Sequence, residues 1–152
     1  MRPTSESIIP MQDPQGRIPN SVVITTVTRV MMPFIQLYGL YVIMHGHSSP
    51  GGGFQGGVIL GASFILLAVS HNTEYMEERF SMKQLTVLTS TGVLIYGGLG
   101  FLCLLLGGSF LDYSVLPISM PRYMGMLGIE IGVGITVMAV MISIFRDLIY
   151  FK

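Results

Sequence analysis

The sequence predicts an all-α integral membrane protein, a bundle of four transmembrane helices. Three observations predict it. The 152-residue chain has a mean hydropathy of +0.67. Charged residues make up only 11% of it, against roughly 25% in ordinary soluble domains; that is thin cover for a soluble surface. Four apolar segments approach the ~20 residues a helix needs to cross a bilayer core. None alternates as a membrane β-strand does, so helices follow. The 19 glycines fit the same class, since glycine is more frequent in membrane helices than in soluble ones.

The elements follow in chain order. The first twenty residues, MRPTSESIIPMQDPQGRIPN, are polar and proline-rich. They read as a cytoplasmic arm, residues 1–20, ahead of a four-helix membrane domain, residues 21–152. No cleavable signal peptide is evident in them. The first span covers about 22–45 and contains Arg29. Arg29 is expected to mark the membrane entry, which puts Pro33 in the first turns of the lipid-embedded part. A missing N–H costs least there. The second span, FQGGVILGASFILLAVS at 54–70, is short. The third covers 84–106 and the fourth 123–145. No span repeats another, so no inverted-repeat transporter is expected. Four short spans leave little room for a private transport pathway, which suggests a subunit of something larger.

Lys and Arg set the orientation. With four spans, the N-terminus, the 71–83 loop and the C-terminus share one side. That side holds Arg2, Arg17, Arg29, Arg79, Lys83, Arg146 and Lys152, and the other holds only Arg122. Both termini are therefore expected in the cytoplasm. The 45–53 turn and the 107–122 loop then face outward. Asp112 and Arg122 in that loop are expected to be solvated or paired locally. The EYMEER run at 74–79 reads as a solvated cytoplasmic turn.

The connection HGHSSPGGGFQGG, residues 45–57, is the least ordinary stretch. It is no phosphate loop, because no lysine followed by Ser or Thr succeeds the glycines. A dinucleotide fingerprint would need a βαβ unit. As the start of a membrane helix it makes sense. Ser48 or Ser49 can cap the second helix, with Pro50 at its first position. Gly51 and Gly52 allow a sharp reversal. Gly53, Gly57 and Gly61 are four apart and form a bare stripe for close helix packing in lipid. His45 and His47 lack the further ligands a metal site needs. They read as interfacial histidines bonding to backbone, with a proton relay as the functional alternative.

Glu130 is the only carboxylate inside a predicted span. A charged residue at a helix centre costs about 2.5–3.5 kcal/mol on insertion scales, so an intramembrane acid is a functional-site candidate. The structural alternative is a carboxyl hydrogen-bonded across a subunit interface. Gly125, Gly128, Gly132 and Gly134 around it let a neighbouring helix come close. The rest of the chemistry is sparse. Cys103 lies alone in an apolar run, so neither a disulfide framework nor a metal cluster follows. Eight basic and eight acidic residues leave no basic surface for nucleic acid. No nucleophile–base set is visible and no cofactor is implied, so an enzyme is not expected.

These residues carry a resemblance. From Arg29 through Ser70 the chain resembles the B subunit of the multisubunit Mrp-type cation/proton antiporter, the MnhB family. The signature is Gly46-His47, then Ser49-Pro50-Gly51-Gly52-Gly53-Phe54, then Gly56-Gly57, with Arg29 opening the first helix. In the fourth helix Glu130 and Gly132 match an acidic position placed close before a glycine. The resemblance spans roughly 25–145 and leaves out the polar arm and His45. It implies an accessory subunit that packs against larger channel-forming subunits in a prokaryotic cell membrane, in a complex exchanging Na+ for H+. Related modules occur in membrane-bound hydrogenases and similar redox complexes, so the same subunit type in such a complex is the alternative. A scaffold that carries no ion is the third reading.

Overall fold

Four helices make up most of the computed structural model, which describes residues 22–48, 51–71 and 80–150. They are α1 (Val22–Met44), α2 (Gly53–His71), α3 (Met82–Leu105) and α4 (Pro121–Tyr150), with one 3-10 turn at Tyr113–Val115 before α4. All four are long and apolar enough to cross a membrane, and there is no strand among the described residues. The polar arm at 1–20, Ser49, Pro50 and the 74–79 run lie outside the described residues. Arg2, Arg17, Arg79 and Lys152 lie outside them as well.

Local chemistry explains the helix ends and corrects two expectations. Ser48 does not cap α2. Its N–H and hydroxyl both donate to the His45 carbonyl, at 3.1 and 3.2 Å, and finish α1 instead. The second helix opens at Gly53, past Pro50, and Gly56 N–H donates to Gly52 O at 3.0 Å. Pro33 lies inside α1, which begins at Val22. A proline there is tolerated in membrane helices when neighbours re-satisfy the freed backbone groups. At the start of α3 the Ser81 N–H donates to the Gln84 side chain at 3.0 Å, half of a capping box. The other end of α3 closes on Gly107, whose φ of +86° only glycine adopts without strain. The fourth helix runs for 30 residues, about 45 Å at 1.5 Å per residue. It is longer than the 123–145 segment and longer than a bilayer core.

The helices pack as a row in the order α1, α2, α4, α3. The second helix lies between α1 and α4, and α4 carries both α2 and α3. Each seam is close because glycines meet backbone. A Cβ on Gly56 would come within 2.7 Å of Gly39 O on α1; one on Gly57 would come within 2.6 Å of Gly134 O on α4. The α3–α4 seam closes where Gly92 meets Gly132. In lipid such contacts replace the hydrophobic effect as the driving force. One end of the row is tied by longer side chains. Ala68, Leu85 and Ile142 are buried there, with Phe64, Phe80, Met138 and Phe145 packed around them. Arg146 donates to Phe80 O at 2.9 Å, and Thr25 donates to Ser70 O at 3.2 Å.

Candidate functional site

At the opposite end of the row, the connection between α1 and α2 folds against α4. His45 stays with its own helix: its ring stacks on Tyr41 at 4.1 Å, and Nδ1 lies 3.1 Å from the Tyr41 carbonyl. His47 reaches across, and its ring meets Tyr123 of α4 edge-on at 4.8 Å. Between these two histidines, Gly46 presents bare backbone to the carboxyl group of Glu130. A Cβ on Gly46 would overlap that carboxyl. One on Gly52 would lie 3.3 Å from Glu130 Oε1, and one on Gly53 would overlap the Glu130 backbone carbonyl. The carboxyl is thus walled by Gly46 and Gly52 of one connection, and Gly53 at the start of α2 meets the backbone behind it, with the His47 imidazole within electrostatic reach.

Glu130 lies nine residues beyond Pro121, roughly 13 Å along the helix at 1.5 Å per residue. Its Oε2 atom is buried and, among the described residues, has no hydrogen-bond partner. Such an oxygen is costly in a low-dielectric interior. It calls for a proton shared with an acceptor, a cation, or a donor from another chain.

The remaining signature residues divide by direction. Gly57 and Gly61 face α4, meeting Gly134 and Met141. Gly56 faces α1, and Gly51 lies beside the Gln55 side chain. Phe54 is 64% exposed and points away from the helix row. The glycines of α4 itself do not form the wall around Glu130. Gly125 packs under Tyr113, Gly128 and Gly132 face α3, and Gly134 faces Ile43 and Gly53. In the loop between α3 and α4 the Asp112 carboxylate accepts from the Ser114 hydroxyl and N–H. These bonds hold it below the ordinary carboxylate range. Burial pushes the Tyr113 hydroxyl above its usual value.

Sequence reasoning singled out Glu130 and the glycine turn separately and missed that they touch. It also missed Tyr123 as the ring against His47. Neither pairing has a local signal, because the partners lie far apart in the chain.

The family described as "Domain related to MnhB subunit of Na+/H+ antiporter" matches residues 23–143. The match takes in all the groups around Glu130. The chain belongs to the MnhB family. Curated relatives include "Putative antiporter subunit mnhB2" of Staphylococcus aureus strain Newman and its counterpart in strain JH1. Each is 29% identical over 134 residues, covering 85% of this chain and 94% of the relative. Membership in the MnhB family and the four apolar helices make this a membrane protein that works with other membrane subunits.

Proposed function

We propose that the chain is an accessory subunit of a multisubunit Na+/H+ antiporter, in which Glu130 takes part in moving the ions. Its family supports the first part. One observation supports the second: the carboxyl of an intramembrane glutamate, with a buried unpartnered oxygen, lies against a connection stripped to glycine. A proton or Na+ from the complex satisfies Oε2 in this reading. His47, whose ring packs on Tyr123, links the carboxyl toward the membrane surface in this reading. The chain is a transporter component and not an enzyme. It packs against larger channel-forming subunits in a prokaryotic cell membrane. The Lys and Arg asymmetry supports cytoplasmic termini, which puts the His47 turn on the outer side and Glu130 in the outer half of the membrane.

The test has two parts. Everted vesicles from cells lacking this chain should lose Na+-dependent dissipation of a proton gradient and regain it on complementation. The tagged chain should co-purify with the other antiporter subunits. Unaltered exchange without the chain would contradict the reading. Recovery of iron–sulfur or hydrogenase subunits in their place would assign it to a redox-driven complex.

A further inference from the structure

The seam between α3 and α4 carries a second polar feature. A groove of about 320 Å³ opens there, lined by Leu85, Thr89, Ser90, Val140, Ser143 and Asp147 among others. A separate opening of about 250 Å³ lies between the same two helices, beside Val93, Tyr96 and Thr136. From Val133 to Asp147 the two take in fourteen residues of α4, roughly 21 Å at 1.5 Å per residue, most of a bilayer core.

The hydroxyls separate into two sets. Thr86, Thr91 and Thr136 donate to carbonyls one turn back on their own helices, at 2.9, 2.7 and 2.9 Å. Ser63 and Ser70 do the same on α2. That is the usual way a membrane helix satisfies a hydroxyl. Among the described residues, the side chains of Thr89, Ser90, Ser143 and Asp147 make no hydrogen bond, and all four line this groove. Within the 123–145 and 84–106 spans, acyl chains offer the hydroxyls of Thr89, Ser90 and Ser143 no partner, and Asp147 stands two residues past the span at the membrane surface. Small hydroxyl residues also allow close approach of a helix backbone and hydrogen bonds across it. The carboxylate sits at one end of the groove only, so the occupant carries its complementary charge at that end.

We infer that this groove seats a transmembrane helix of another subunit of the antiporter, with a Lys or Arg opposite Asp147 and hydrogen-bonding side chains opposite Ser90 and Ser143. The inference rests on the antiporter reading for the partner's identity alone.

A photo-crosslinking residue in place of Ser143, in the intact complex in native membranes, tests it. Leu94, 72% exposed on α3, is the comparison position. The expected result is an adduct from position 143 whose mass spectrum identifies another antiporter subunit, with little adduct from position 94. Asp147→Lys should lower that adduct at least several-fold, and Asp147→Glu should restore it. An adduct of twice this chain's mass, or adducts with lipid alone, would overturn the docking while leaving the antiporter reading intact. An adduct with a subunit of some other complex would overturn the functional reading and the named partner with it.

Discussion

Gly46 and Glu130 touch across two elements, and the glycine contacts to this glutamate differ in kind. A methyl group on Gly46 meets the tip of a flexible side chain, whereas one on Gly53 meets the Glu130 backbone. Gly46→Ala should therefore move the carboxyl aside and leave assembly unchanged on native gels, while Na+/H+ exchange falls several-fold. Gly53→Ala should strain the α2–α4 contact by about 1–3 kcal/mol, the usual range for overpacking, and lower the melting temperature of the detergent-solubilised complex. Equal effects of the two on assembly would contradict this division. Glu130 was legible in the sequence because a carboxylate in an apolar run has a large insertion cost. Its wall was not, because Gly46 reads locally as part of a turn and only packing brings it to α4.

Among the elements, α2 shows how far a small-residue pattern can be read. The spacing of Gly53, Gly57 and Gly61 indicates one packed face, and all three meet α4. Which helix they meet is not in the pattern, because α1, α3 and α4 are all apolar and all carry glycine. The row order, with α4 at its hub, therefore emerges only from the assembled seams. The helix boundary at Ser48 was misread for a related reason. A serine before a helix resembles a cap, but here it bonds backward to the helix it follows. At Gly57 even alanine crowds the Gly134 carbonyl and Cα, at 2.6 and 3.0 Å. Gly57→Ala should thus destabilise by about 1–3 kcal/mol and Gly57→Leu by more. Gly97 and Gly98 have nothing within 4 Å. Alanine there should be neutral, or stabilise by up to about 1 kcal/mol through helix propensity. Thermal unfolding of the purified complex separates these classes. Loss of stability at Gly97→Ala matching that at Gly57→Ala would place an unseen partner on that face of α3.

For the whole molecule, the end that holds Glu130 and His47 and the end that holds Arg146 face opposite membrane surfaces. The Lys and Arg asymmetry predicts that the first faces outward. In a Cys103→Ser background, Ser48→Cys should react with an impermeant thiol reagent on intact cells. Met82→Cys should react only in everted vesicles. The reverse pattern would invert the orientation, and with it the side from which His47 is reached. The central claim is that an accessory subunit contributes its own carboxyl to ion movement. Glu130→Gln tests this most directly, because it keeps size and hydrogen bonding but can neither release a proton nor carry charge. It should be measured as Na+-dependent dissipation of a proton gradient in everted vesicles, with assembly checked on native gels. The account predicts a fully assembled complex whose exchange falls at least tenfold. Full exchange in the glutamine variant, with assembly lost only in Glu130→Ala, would contradict it and leave the carboxyl as a structural bond between subunits.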